Sequence, residues 1–396
     1  MCKSQLKYFV SLDLNRKKMQ KIIIDENILF AQEAFNHLGT VETYPGRSIS
    51  NQLLKDADIL IVRSITKVDE NLLKDTNIKF VGTATIGTDH IDLDYLKKNK
   101  IAFADASGCN AFSVAEYVVA SLFHLSAKFD FKIKDNSIGI VGTGNVGSKV
   151  AHFSESLGMK VLLNDPPLER SGDPRKFVSL SEILKCDIIT LHTPLNKSGI
   201  DKTLHLINKN NLTELKENTI LINTSRGAVI NNNDLLESIK RKRIITVLDV
   251  WENEPEVNLE LLERTDISTP HIAGYSYEGK ANGTIMIYDS LCKFLNVEKQ
   301  YKFQFPELNN PVIEIDFSEQ FEDSMNKLIS EIYPIADDDK RMRRILGMSN
   351  SNIINEFDNQ RKYYPVRREY NNYAIKSANL NEKIKSVLTE LRFKII

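Results

Sequence analysis

From Gln20 onward, short apolar runs alternate with stretches of helical period. Lys21 to Ile24 ends in Asp25-Glu26-Asn27, Ile59 to Val62 ends in Arg63-Ser64, and Phe80 to Ala84 ends in Thr85, Gly87 and Asp89. Apolar runs of this length, rich in β-branched residues and interleaved with helices, predict buried parallel strands in βαβ units. A long helix is predicted over Ala111 to Phe129. A second series follows, with strands at Ser137 to Val141, Lys160 to Leu163, Asp187 to Leu191, Thr219 to Asn223, Ile245 to Leu248 and Asp266 to Thr269. A further helix, Gly279 to Asn296, is placed to carry the chain back to the first series. After Pro306 the βα rhythm stops and mixed charge appears, as in Asp337-Asp338-Asp339-Lys340-Arg341.

The expected fold is α/β. It comprises two Rossmann-like, doubly wound parallel-sheet domains with a cleft, plus a small C-terminal α+β domain. The divisions are 19–110 with 276–305 as one domain, 111–275 as the second and 306–396 as the third. Residues 1–18, basic and followed by Met19, are expected to be a disordered extension. In open parallel sheets, ligands bind beyond the carboxyl ends of the strands. The polar residues that close each run are therefore the candidates for chemistry.

Composition narrows the field. A hydrophobic fraction of 42% and a charged fraction of 27% are ordinary for a globular chain. The net charge of -1 gives no basic field for nucleic acid. No apolar run is long enough for a membrane helix. Cys2, Cys109, Cys186 and Cys292 are scattered, with no zinc spacing and no disulfide framework, so a reducing cytoplasm and no metal are expected.

The run Ile138 to Val141 enters Gly142-Thr143-Gly144-Asn145-Val146-Gly147, a G-x-G-x-x-G between a strand and a helix pattern formed by Val146, Val150, Phe153 and Leu157. Gly142 permits the tight turn, Gly144 lets backbone approach a pyrophosphate, and Gly147 lets helix pack on strand. Gly142, Gly144, Asn145, Val146 and Gly147 are thus candidate dinucleotide contacts, at a helix N-terminus that favours anions. Asp165 closes the next strand at the distance where a carboxylate meets the ribose hydroxyls and repels a 2′-phosphate. That favours NAD. Arg170 nearby keeps the phosphorylated cofactor open, and a turn with Pro166 and Pro167 is the plainer role for Asp165. His192 and Thr193 also end a strand, Thr193 being the better cofactor contact.

Three further strand ends carry Asn223-Thr224-Ser225-Arg226-Gly227, then Asp249-Val250-Trp251-Glu252-Asn253-Glu254-Pro255, then Thr269-Pro270-His271-Ile272-Ala273-Gly274. Oxidising a hydroxy acid by hydride transfer requires a base for the hydroxyl proton, a cation for the carboxylate and nascent carbonyl, and a nicotinamide. Histidine suits the first task near neutral pH, with a carboxylate to fix its tautomer. Spacing alone leaves Glu252 and Glu254 as rival partners. In this order, the three segments and the glycine loop resemble the D-isomer-specific 2-hydroxyacid dehydrogenase family. The resemblance implies that Arg226 binds the carboxylate and carbonyl, Glu254 pairs with the histidine, His271 is the acid/base, and Asp249 lies by the nicotinamide.

Further segments sharpen the resemblance: Val62-Arg63-Ser64-Ile65-Thr66-Lys67-Val68, Thr83-Ala84-Thr85-Ile86-Gly87-Thr88-Asp89-His90, Gly108-Cys109-Asn110-Ala111, and Tyr275 with Glu278-Gly279-Lys280. They are similar to a branch of the family that oxidises 4-phospho-D-erythronate in pyridoxal 5′-phosphate biosynthesis and carries a C-terminal dimerisation domain. For this chain that implies a homodimer and a phosphorylated four-carbon substrate. It also implies substrate contacts from Ser64, Thr85 and Tyr275, with Gly274 beside the cofactor. For the substrate phosphate, Arg63 is the first candidate cation and Arg47 the second; Arg343 or Arg344 would reach over from a partner subunit. Two alternatives stay open: another member acting on 3-phosphoglycerate, glycerate or lactate, and an NAD-sensing corepressor without catalysis.

Overall fold

The computed structural model describes residues 19–318 and 320–396; the extension expected over 1–18 lies outside the described residues. The described residues divide into two compact units, one formed by those up to Asn110 with Tyr277–Glu307, the other by Ala111–Ser276 with those from Leu308 on.

In the first unit, strands β1 (Gln20–Asp25), β2 (Gly39–Tyr44), β3 (Ile59–Val62), β4 (Phe80–Thr83) and β5 (Ala102–Asp105) form a parallel sheet in the order β2-β1-β3-β4-β5. β3, β4 and β5 are buried along their whole length, as strands covered on both faces must be. Ile22, Ile24, Ile59 and Ile61 pack on one side with Ile287, Tyr288 and Leu291 of the helix Tyr277–Leu295. This helix does return the chain to the first sheet. Its Gly283 is required by packing, because a Cβ there would meet the Ala84 carbonyl oxygen at 2.4 Å.

The second unit holds six parallel strands: β6 (Ser137–Val141), β7 (Lys160–Asn164), β8 (Ile188–Leu191), β9 (Ile220–Asn223), β10 (Ile245–Leu248) and β11 (Ile267–Ser268). Their order is β11-β10-β9-β8-β6-β7. The chain leaves β6 for β7 on one side and returns to β8 on the other. The glycine loop after β6 therefore lies at a topological switch point. Several strands are shorter than expected, β8 and β11 among them. Asp187 stays out of β8 because its carboxylate accepts from the Ser137 N–H and hydroxyl. Asp266 stays out of β11 because it accepts from the Thr246 N–H and pairs with Arg243.

The C-terminal stretch adds β12 (Val312–Glu314), β13 (Ala374–Lys376) and β14 (Lys394–Ile395), paired in parallel in that order, and helices Phe321–Ile332, Ile335–Met342, Asn350–Lys362 and Glu382–Glu390. It shares its cores with the second sheet. Met325, Leu328 and Tyr370 lie in one cluster with Val118, Phe123 and Ile138. Ile353 and Phe357 lie in another with Leu248, Trp251 and Leu261. No helix of the described residues is long and apolar enough to cross a membrane.

Candidate active site

The segment after β11 is held by the segment after β10. Asp249 is buried, 1% exposed. Its Oδ1 accepts from the Thr269 hydroxyl and the Ile272 N–H, both at 2.7 Å, and its Oδ2 accepts from the Ala273 N–H at 3.0 Å. Its carbonyl accepts from the His271 N–H at 2.7 Å. Thr269 donates to Asp249, so the Tyr117 hydroxyl, 2.8 Å away, donates to Thr269. The Trp251 indole N–H donates to the Thr269 carbonyl at 3.0 Å. These bonds hold His271 at a φ of 58°, a left-handed conformation uncommon for residues other than glycine. Such a conformation costs about 1–3 kcal/mol and persists only where its surroundings over-determine it.

His271 Nδ1 lies 2.5 Å from Glu254 Oε1. A carboxylate only accepts, so Nδ1 carries the proton and Nε2 keeps its lone pair, the tautomer a base requires. The second oxygen of Glu254 accepts from the Trp251 N–H at 3.2 Å. Burial alone would push Glu254 up; the His271 ring, the Arg361 guanidinium and the Trp251 N–H outweigh it and hold the carboxyl below its ordinary range. The choice that spacing left open is resolved by position. Glu252 turns away to His205 Nε2 at 2.6 Å and to the Asn232 N–H at 3.1 Å.

Arg226 leaves β9 through a turn built by Asn223, whose Oδ1 accepts from the Ser225 N–H and hydroxyl and whose Nδ2 donates to the Arg226 carbonyl. Arg226 Nη1 donates to the Ser225 carbonyl at 2.8 Å. Glycine must follow: a Cβ on Gly227 would sit 1.9 Å from the Trp251 carbonyl carbon. The N-x-x-R-G and D-V-x-x-x-E-P segments are thus in backbone contact beyond the carboxyl ends of β9 and β10.

The glycine loop meets the demands of a dinucleotide. Gly142 has a φ of 83°, and a Cβ there would strike His192 backbone at 2.8 Å; a Cβ on Gly147 would meet the Gly142 oxygen at 2.0 Å. Around Gly144 nothing lies within 4 Å of that position. Asn145 and Val146 begin the helix Asn145–Ser156, with Gly144 as its N-cap. Thr193 Oγ1 is buried with no hydrogen-bond partner, an orphaned polar atom at the edge of the loop. Open space at Gly144, the N-terminus of the helix Asn145–Ser156 and an orphaned hydroxyl together fit a bound NAD.

Asp165 takes the plainer of its two expected roles, in the turn with Pro166 and Pro167. Its Oδ2 accepts from the Thr143 N–H at 2.7 Å, and its Oδ1 caps the helix Pro166–Arg170 through the Leu168 N–H. Arg170 pairs with Asp201 instead of standing free for a phosphate. Arg175, which sequence reasoning passed over, donates to the Thr143 carbonyl at 2.9 Å while paired with Asp173. His192 has hydroxyls at both ring nitrogens, from Thr190 and Thr224, and burial pushes it down to about 3, so it stays neutral.

In the first unit, Thr85 lies 3.0 Å from Thr83, whose hydroxyl is also 3.0 Å from His90 Nε2. Ser64 is exposed just beyond β3. Arg63 forms an ion pair with the buried Asp25 at 3.2 Å, which fixes its stem at the same strand end. Gly274 and Tyr275 lie three and four residues after His271, and the Tyr275 ring meets Tyr364 edge-on at 6.0 Å. Arg343, proposed to reach into a partner, is occupied within its own chain by Asp339 and by the carbonyls of Leu262, Glu263 and Thr265. Among the described residues, no group of three His, Cys, Asp or Glu side chains gathers as a metal site.

Residues 113–273 match the family model described as D-isomer specific 2-hydroxyacid dehydrogenase, NAD binding domain. Residues 306–391 match one described as Domain of unknown function (DUF3410). Among curated proteins, the chain is 45% identical over 361 residues to the erythronate-4-phosphate dehydrogenase of Proteus mirabilis, covering 90% of this chain and 94% of that one. It is 44% identical over 361 residues to the enzyme of the same name from Escherichia coli, covering 90% and 93%. Among solved structures, it resembles the D-lactate dehydrogenase from Aquifex aeolicus complexed with NAD and lactic acid, with TM-score 0.58, 28% identity, and coverage of 70% of this chain and 96% of that one. It also resembles the NAD+-bound 3-phosphoglycerate dehydrogenase of Entamoeba histolytica, with TM-score 0.61, 26% identity, and coverage of 72% and 100%.

Proposed function

The chain belongs to the erythronate-4-phosphate dehydrogenases, within the D-isomer-specific 2-hydroxyacid dehydrogenase family, and from that premise we propose that it oxidises 4-phospho-D-erythronate to (3R)-3-hydroxy-2-oxo-4-phosphooxybutanoate with NAD. The observation that carries the chemistry is the 2.5 Å contact between His271 Nδ1 and Glu254, on a loop pinned by Asp249. Bound NAD supplies the acceptor for the hydride from C2. His271 Nε2 takes the C2 hydroxyl proton, and Glu254 stabilises the imidazolium that results. Arg226 holds the carboxylate and polarises the nascent carbonyl. Asp249 acts first on the protein: its oxygens are engaged with 269–273, so its part is to aim His271, with the cofactor carboxamide as a further neighbour.

Gly142, Gly144, Asn145, Val146, Gly147, Asp165, Thr193 and Gly274 form the cofactor side in this reading; Ser64, Thr85, Tyr275 and Arg63 hold the substrate. The first unit serves as the substrate-binding domain and residues 306–396 as a dimerisation domain of a cytoplasmic homodimer. The product belongs to the route to pyridoxal 5′-phosphate.

The decisive assay follows NADH formation over a panel of phosphorylated and plain 2-hydroxy acids. Turnover is expected to be best with 4-phosphoerythronate. Good turnover of 3-phosphoglycerate beside none of 4-phosphoerythronate would reject the substrate. No turnover of any acid, with NAD still bound, would favour the corepressor alternative.

A further inference from the structure

The C-terminal segment, of which residues 306–391 match a domain of unknown function, grips the loop that carries His271. Arg367 is 6% exposed, and its Nη2 donates to the Ala273 carbonyl at 2.7 Å and to the Ser113 carbonyl at 3.2 Å. Glu369 accepts from Ser113 at 2.9 Å and from Ser276 at 3.1 Å. Both residues close on the stretch just after His271, so the C-terminal segment belongs to the frame of the site.

One residue of the segment goes further. In the helix Asn350–Lys362, Ile353 and Phe357 are buried in the core that contains Trp251. Positions four apart share a helix face, so the next member of that stripe is Arg361. A stripe that ought to continue apolar delivers a guanidinium beside the acid/base pair. The guanidinium carbon lies 5.9 Å from the centroid of the Tyr275 ring. Its Nε is buried with no hydrogen-bond partner. The helix end is fixed by Gln360, whose Nε2 donates to the Arg341 carbonyl at 2.8 Å.

We propose that Arg361 is a positioning residue for the dehydrogenase reaction, through which the C-terminal segment orients Tyr275, four residues after His271. The proposal rests on the hydride-transfer chemistry assigned above. The titratable groups that face Arg361 are Glu254, Tyr275 and Asp358, and those that face Glu254 are His271 and Arg361. The positive charge helps keep Glu254 below its ordinary range. A planar guanidinium also lies against an aromatic ring in a way an ammonium does not.

The test is the pH profile of kcat/KM for 4-phosphoerythronate oxidation in Arg361→Gln and Arg361→Lys, beside NADH binding by fluorescence. In Arg361→Gln, kcat/KM is expected to fall about tenfold or more, with KM raised through Tyr275, and the acid limb to move up, because Glu254 loses a charge that helps hold its carboxyl below the ordinary range. Arg361→Lys keeps the charge, so its limb should return to the wild-type position while kcat/KM recovers only in part. NADH affinity should stay unchanged in both. A Gln profile that superimposes on wild type after scaling, or a Lys variant as impaired and as shifted as Gln, would overturn the proposal. Should wild type prefer another hydroxy acid, the substrate reading fails alone, and the same limb comparison is made with that acid.

Discussion

Two loops beyond the carboxyl ends of strands in the second sheet are built in opposite ways. In the loop that carries His271, the N–H groups of 271, 272 and 273 are all bonded to Asp249, and the Thr269 hydroxyl and carbonyl are both engaged. In the glycine loop, Gly144 faces open space and the neighbouring Thr193 hydroxyl has no partner. The difference follows from what each must do. A base must be aimed before the substrate arrives, since misplacement by about 1 Å can cost a hundredfold in rate. A cofactor cradle must keep donors and space in reserve, because every group satisfied internally is one fewer for the ligand. Preorganisation in one loop therefore appears as saturated hydrogen bonds, and in the other as unmet ones.

The largest effect should come from the saturated loop. His271→Asn removes the base but none of the backbone bonds to Asp249. kcat is expected to drop by about 10²–10⁴-fold, the usual contribution of a general base, while thermal stability and NADH affinity persist. Loss of NADH binding together with activity would break the contrast, because it would mean that the two loops are not independent. Glu254→Gln should do less harm, since the ring keeps a neighbour of the same shape.

Next comes the open loop. Gly144 has a φ of -70° with a ψ of -142°, outside the helical and extended regions, and a side chain there meets nothing in the protein. Gly144→Val should therefore cost about 1–3 kcal/mol of folding stability, from backbone strain and not from collision. It should raise the dissociation constant for NADH by tens-fold, since the bulk enters the space reserved for the pyrophosphate. kcat at saturating NAD should hold. Isothermal calorimetry beside a thermal melt separates the two; a variant that melts early with unaltered affinity would show that the space is structural. Gly147 is the internal control, because its Cβ would collide with the Gly142 oxygen and damage the fold itself.

Sequence showed far more of the strand-end chemistry than of what supports it. Glu254, His271, Arg226 and the glycines were visible because each closes a buried apolar run, and their chemistry requires particular residue types at that place. β2 was missed: as the edge strand of its sheet, its Gly39-Thr40-Val41-Glu42-Thr43-Tyr44 is partly exposed and has no apolar run to see. β5 was missed because Ala102-Phe103-Ala104-Asp105 is short and poor in β-branched residues. The C-terminal sheet was illegible for another reason. Its strands of two or three residues come from positions 312, 374 and 394, and only tertiary packing joins them. The same distance in sequence concealed Arg361 and Arg367. An arginine continuing the stripe of Ile353 and Phe357 was the one local signal, and it has meaning only once Trp251 is known to lie beneath that helix.

The smallest effect gives the sharpest form of the contrast. Thr193→Val replaces a buried, unpartnered hydroxyl with a methyl group of the same shape. In the saturated loop, removing a hydroxyl such as that of Thr269 would leave Asp249 short of a donor and lower stability. At Thr193 the sign should reverse. A buried polar group without a partner costs about 1–3 kcal/mol, so the unliganded variant should melt at a higher temperature than wild type. With saturating NADH the advantage should shrink, because wild type then satisfies the hydroxyl and the variant does not, and NADH affinity should fall by a few-fold. Paired melts with and without NADH read both quantities. A variant that is destabilised in the two conditions alike would mean that Thr193 serves packing within the protein, and the glycine loop would lose its clearest sign of being built for something it does not itself contain.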